Sequence, residues 1–186
     1  MMRIIGGLWG AWFFYWWLAS LGVHKPARTE SRGSRAVHMG LLAAAFLLLF
    51  SPLFKFGYLG TRVIPESRAL ECAGVGMTCA GLLFAVWARV HLGRFWSGEV
   101  QIKQGHRLIE SGPYSFVRNP IYTGFLLAIV GSALTLGEAR GALIIAATLT
   151  AFARKIKMEE TMLGSEFGAE FAEYKRRTKA LIPFVY

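Results

Sequence analysis

Residues 4–23 read IIGGLWGAWFFYWWLASLGV, twenty positions without a single charge. A helix of about 20 apolar residues crosses the roughly 30 Å of a bilayer's hydrocarbon, and only a helix satisfies its own backbone groups there. A secretory signal is the competing reading. The stretch is longer than a signal's apolar core, rich in Trp and Phe, and followed by no small-x-small cleavage site, so a spanning helix is expected. The rest of the chain fits that start. Its 186 residues are 54% hydrophobic and 14% aromatic, with mean hydropathy +0.42 and net charge +10, the profile of an integral membrane protein with basic loops. No linker or repeat divides it, so residues 1–186 form one domain. Cys72 and Cys79 lie seven apart within one apolar run, which suits packing on a shared helix face and neither a disulfide nor a metal site. No metal and no nucleic-acid partner is expected.

Four further apolar runs follow, at residues 37–58, 69–90, 119–137 and 141–158. The fold class is therefore all-α, a polytopic membrane bundle of about five transmembrane helices. Pro52 should kink or end the second helix, and Glu71 near the start of the third belongs at the interface. The fifth run has only 13 uninterrupted apolar residues and needs Arg154, Lys155 and Lys157 to snorkel. Lysines and arginines set the orientation. Of 21, 16 fall after the first span, between residues 89 and 118, or in the C-terminal segment, while Arg3, Lys55, Arg62, Arg68 and Arg140 fall on the other side. Positive charge favours the cytoplasm, so the N-terminus is expected outside and residues 91–118 and the tail inside.

The connection GEARG, residues 137–141, is short enough to make the fourth and fifth spans a tight antiparallel hairpin. Residues 119 and 158 then reach one membrane depth. Beyond them, residues 154–177 read as helix, a break near Gly164 or Gly168, and an amphipathic helix with Phe167, Phe171 and Tyr174 on one face. The turn-rich stretch GPYSFVRNPIY, residues 112–122, thus meets Glu159 and Glu160. Ionisable groups at a membrane are costly and point to function by default. The composition equally allows Arg118 as a plain interfacial anchor and the glutamates as partners for Lys155 and Lys157.

At these residues the chain resembles the superfamily of isoprenylcysteine carboxyl methyltransferases and phospholipid methyltransferases. HRLIESGPYSFVRNPIYTG is similar to that family's first motif through His106, Leu108, Gly112, Tyr114, Arg118, Asn119, Pro120 and Tyr122. The second motif is matched by Glu159, Glu160, Leu163, Phe167, Gly168, Phe171 and Tyr174, followed by KRRTKALIPF. The resemblance covers residues 87–184. Asn119 stands where many relatives carry His, and Asn does not titrate near neutrality, so no general base is assigned there. Gly74-Val75-Gly76 resembles a Gly-x-Gly linked to cofactor binding in phospholipid methylation, but close helix packing is the favoured reading of these small residues.

The resemblance implies S-adenosyl-L-methionine as methyl donor, with S-adenosyl-L-homocysteine as product, bound on the cytoplasmic side within residues 91–186. It implies His106, Leu108, Gly112, Tyr114, Val117, Arg118, Asn119, Pro120, Tyr122 and Glu159 as cofactor-binding residues, and Arg89 and Glu160 as catalytic residues. The residue chemistry is compatible. Pro120 in a first helical turn leaves backbone amides for a carboxylate, Glu159 or Glu160 suits ribose hydroxyls or an ammonium, and Tyr114 and Tyr122 offer aromatic faces to adenine or the sulfonium. Arg89 suits an anionic acceptor, and equally a snorkelling anchor. The implied partners are a lipophilic small molecule or lipidated substrate, and membrane lipids. Carboxyl O-methylation of an isoprenylcysteine is the first reading, with phospholipid N-methylation or small-thiol S-methylation next. An NADPH-dependent sterol-reductase-like enzyme and a non-enzymatic scaffold for anionic lipids are the rivals.

Overall fold

The structure, a computed structural model, describes residues 1–21, 31–93 and 108–183. Among the described residues it is all-α, with five α-helices: α1 (Met2–Ser20), α2 (Arg32–Phe50), α3 (Arg68–Leu92), α4 (Pro120–Leu136) and α5 (Arg140–Arg177). By length and composition α2 and α3 are long and apolar enough to cross a membrane, and α4 is a shorter apolar helix of 17 residues. The aromatic richness of α1 and the charged second half of α5 keep both outside that class. Large apolar side chains nonetheless coat the outside of α1, with Phe13, Phe14, Trp17 and Leu18 exposed.

The second helix is displaced from its expected 37–58. It begins earlier because the Ser31 hydroxyl caps it, accepting from the Ser34 amide at 3.3 Å. It ends at Phe50 because Pro52 has no amide to continue the ladder. Two short 3-10 turns, Pro52–Phe54 and Gly57–Gly60, then carry the chain to residues 61–64. That segment clasps the α4–α5 turn: the Val63 amide donates to Gly137 O at 2.9 Å and the Ala139 amide to Thr61 O at 2.9 Å.

The hairpin itself agrees with the expectation from GEARG. Gly137 closes α4 in the left-handed conformation (φ 71°), and only residues 137–139 separate it from α5. The break in α5 falls at Gly168 (φ 48°, ψ −114°), one of the two glycines expected to cause it.

Small residues decide the closest packing. A Cβ on Gly81 would lie 2.4 Å from Gly124 O, and one on Gly74 would lie 2.6 Å from Gly131 O and 2.3 Å from Thr135 Oγ1. Two glycines seven apart on α3 therefore meet two glycines seven apart on α4, backbone against backbone. Gly76 faces nothing within 4 Å. Gly74 of the Gly74-Val75-Gly76 triplet is thus part of a helix contact, as close packing predicts. Between the glycine contacts, Thr78 bonds Ser132 Oγ at 3.2 Å, and Trp9 Nε1 donates to the same hydroxyl at 3.0 Å, which ties α1 to both helices.

An aromatic core extends from that point towards the loop end. Trp9 packs edge-on to Phe46 and Phe125, both at 4.9 Å. Phe125 meets Phe152 at 5.3 Å, and Phe152 stacks on Tyr122 at 4.7 Å. The apolar interior therefore ends on a residue of the candidate site.

Candidate functional site

The site begins with the turn GPYS, a 3-10 helix over Gly112–Ser115. Gly112 has φ 59°, and a Cβ there would lie 2.7 Å from the ring of His91. Both the backbone angle and the neighbour require glycine. His91, near the end of α3, bonds Ser111 Oγ through Nε2 at 2.9 Å and faces Tyr114 with ring centres 6.4 Å apart. The turn is thereby fixed to the end of α3 that carries Arg89.

After the turn the chain meets α4 at its first residue, Pro120, where the missing amide costs nothing. The hairpin then aligns the two halves of the site. Tyr122 donates its hydroxyl to Glu159 Oε1 at 2.7 Å. Arg118 donates Nε to Glu160 Oε1 at 2.8 Å, with Nη2 on the same oxygen at 2.8 Å, and Lys175 Nζ reaches Glu160 Oε2 at 2.7 Å. The Arg118 and Glu160 side chains are 8% and 13% exposed. A charge pair sheltered this far from water depends strongly on its partners.

The C-terminal segment completes the enclosure. Residues 178–181 run alongside residues 117–119, with the Arg118 amide donating to Lys179 O at 2.8 Å and the Asn119 amide to Ala180 O at 3.1 Å. Asn119 Nδ2 adds a bond to Ala180 O at 2.9 Å, Thr123 Oγ1 donates to Leu181 O at 2.6 Å, and Arg118 Nη1 donates to Thr178 O. The backbone amides of Arg118 and Asn119, just before α4, are therefore held by the tail. Tyr174 donates its hydroxyl to Tyr114 O at 2.6 Å, and Arg177 pairs with Glu110 at 2.7 Å.

The electrostatics converge on Tyr114. Burial pushes its phenol well above the ordinary value of about 10, Glu159 and Tyr174 push the same way, and Arg89 opposes them. Burial likewise raises the phenol of Tyr174, against the nearby cation Arg118. Both remain neutral hydrogen-bonding groups at physiological pH.

The structure thus brings Gly112, Tyr114, Arg118, Asn119, Pro120, Tyr122, Glu159 and Glu160 to one end of the α4–α5 hairpin. Val117 is also there but fully buried, and Leu108 is half-buried at the edge of the loop. His106 lies outside the described residues. Arg89 sits at the same end and is largely buried, donating Nη2 to Ala19 O at 3.1 Å and Nη1 to Gly93 O at 3.2 Å. It links the ends of α1 and α3. Sequence reasoning missed His91, Lys175 and the seat of residues 178–181. The apolar pair Ala180-Leu181 straight after a basic run was the available sign that the tail docks there, and both residues are buried.

The family model for isoprenylcysteine carboxyl methyltransferases matches residues 74–165, which include most of α3, the site loop, α4 and α5 as far as Ser165. The protein-S-isoprenylcysteine O-methyltransferase of Schizosaccharomyces pombe is 30% identical over 62% of this chain and 50% of its own length. The cobalt-zinc-cadmium resistance protein CzcN of Cupriavidus metallidurans is 36% identical over 67% of this chain and 52% of its own. Protein-S-isoprenylcysteine O-methyltransferase B of Arabidopsis thaliana is 31% identical over 60% and 58%. The chain spans about half the length of these curated relatives. A solved structure of the eukaryotic intramembrane Ras methyltransferase ICMT shares the fold, with TM-score 0.56 at 23% identity over 86% of this chain and 55% of that one. On the family match, these relatives and the shared fold, the chain belongs to the isoprenylcysteine carboxyl methyltransferase family.

Proposed function

We propose that this chain is a five-span membrane methyltransferase that uses S-adenosylmethionine to methylate a lipophilic acceptor, first of all the carboxylate of an isoprenylcysteine. The observation that carries the proposal is the pairing of Tyr122 with Glu159 beside Arg118 with Glu160, two motif halves 37 and 42 residues apart joined at one depth. The charge count of the sequence puts this end in the cytoplasm, where a soluble cofactor is available.

The residues present suit the cofactor's groups. Glu159 offers an acceptor for ribose hydroxyls or an ammonium, and the Tyr114 and Tyr122 rings offer faces to adenine or a cation. Glu160 already holds Arg118 and Lys175, so in this proposal it is a positioning residue that keeps the tail over the site. When bound, S-adenosylmethionine supplies an electrophilic methyl on a sulfonium, which a carboxylate or thiolate attacks without a general base. The protein's part is placement. Arg89 orients an anionic acceptor at the end of α3, and the aromatic core from Trp9 to Tyr122 backs the site with an apolar wall. Methyl transfer to phospholipid amines or small thiols is compatible with the same placement.

The test is calorimetry of the detergent-purified chain with S-adenosylhomocysteine, S-adenosylmethionine and NADPH, followed by radiolabelled methyl transfer to prenylcysteine analogues, phospholipids and thiols. Adenosyl-ligand binding with transfer to the prenylcysteine analogue is the expected result. No adenosyl binding at millimolar concentration, or a preference for NADPH, would overturn it.

A further inference from the structure

At the end of the bundle opposite the site, a cavity of about 270 Å³ opens between the start of α1, the end of α2 and the α4–α5 turn. Its walls are Met2, Leu49, Phe50, Pro52 and Leu136, and its charges are Arg3, Lys55 and Arg140. Arg140 is 1% exposed, yet its guanidinium is only partly used. Nε donates to Glu138 Oε2 at 2.7 Å, and Nη1 to Leu48 O at 2.6 Å and Ser51 O at 2.8 Å. Nη2 has no hydrogen-bond partner among the described residues. Arg3 and Lys55 stand exposed beside it, and neither forms an ion pair or side-chain hydrogen bond among the described residues. Glu138 is committed to Arg140, while the nearest further acids of this end, Glu66 and Glu71, face Arg62.

We propose that this cavity binds the phosphate headgroup of an anionic phospholipid. Two unneutralised cations and a guanidinium edge on an apolar floor select an amphiphile with an anionic head. The volume lies just under the range of about 300–1,000 Å³ usual for whole ligands, which fits a headgroup and its first carbons but no complete lipid. Phe50, Leu53 and Phe56 are exposed beside it, a surface along which the acyl chains continue. Along α4 the rise from Tyr122 to Leu136 puts the cavity about 21 Å from Tyr122, so it is separate from the cofactor site. Its occupant bridges α1, α2 and the hairpin.

The experiment is native mass spectrometry of the full chain in detergent with phosphatidylglycerol, phosphatidylcholine or inorganic phosphate. It compares the natural sequence with Arg3→Gln, Lys55→Gln and the double substitution. These exposed positions leave the buried Arg140 network untouched, and unchanged circular dichroism checks the fold. Phosphatidylglycerol should bind in preference to phosphatidylcholine, and the double variant should lose roughly 30-fold in affinity, each single variant a part of it. Equal affinity in all variants, or phosphatidylcholine binding as well as phosphatidylglycerol, would overturn the site. Inorganic phosphate retained where no lipid adduct forms would overturn the lipid assignment. None of these outcomes depends on whether an adenosyl ligand binds at the other end.

Discussion

Adjacent glutamates have different tasks here. Glu160 lies between Arg118 and Lys175 and fastens the tail, whereas Glu159 receives the hydroxyl of Tyr122. Glu159→Gln is therefore expected to keep the fold and weaken S-adenosylhomocysteine binding by about 10- to 100-fold, the worth of a charged hydrogen bond. Arg118→Ala removes the more buried of the two cationic partners of a sheltered carboxylate and the donor to Thr178 O, so it should also cost stability, by about 2–3 kcal/mol. Calorimetry and thermal melts of the two variants separate these effects; wild-type affinity in both would mean that the pocket lies elsewhere. The phenols make a pH prediction. Tyr114 and Tyr174 titrate higher folded than unfolded, so their contribution to stability is complete below about pH 10. As pH rises past that value the unfolded chain releases protons that the folded chain keeps, and stability falls. Tyr174→Phe should flatten this alkaline loss and cost about 1 kcal/mol at neutral pH, through the bond to Tyr114 O.

Among the elements, α3 and α4 have the most exacting contact. Gly131→Ala would drive a methyl to 2.5 Å from Gly74 O, backbone that cannot move aside, and should destabilise by about 2–3 kcal/mol. Gly76→Ala, with open space, should stay within about 0.5 kcal/mol of the natural protein in the same denaturation assay. Equal costs at both positions would contradict the packing described. The hairpin was legible in the sequence because GEARG leaves no room for another path. Pro52 announced the end of α2, and Gly168 offered one of two breaks in α5. The start of α2 was obscured because the capping Ser31 sits within a polar segment, where no hydrophobic period marks the boundary.

For the whole molecule, both the fold and the charge bias have consequences that labelling can check. In membranes of defined orientation, a cysteine placed at Ser111 should react with an impermeant thiol reagent from the cytoplasmic side and one at Tyr58 from the opposite side. Reaction of both from one face would refute the five-span topology. The sequence by itself determined that the chain is helical, that its turn-rich motif faces a pair of glutamates across a hairpin, and that basic residues are divided unevenly between two ends. Those features are local or follow from counting residues along a helix. The tertiary structure alone decided which glutamate bonds Tyr122, that Gly74 belongs to a helix contact, and that residues 178–181 seat against Asn119. It also gathered Arg3, Lys55 and Arg140, more than 130 residues apart at the extremes, around one cavity. Such choices depend on rotamers and on the approach of distant backbones, and a one-dimensional pattern carries neither.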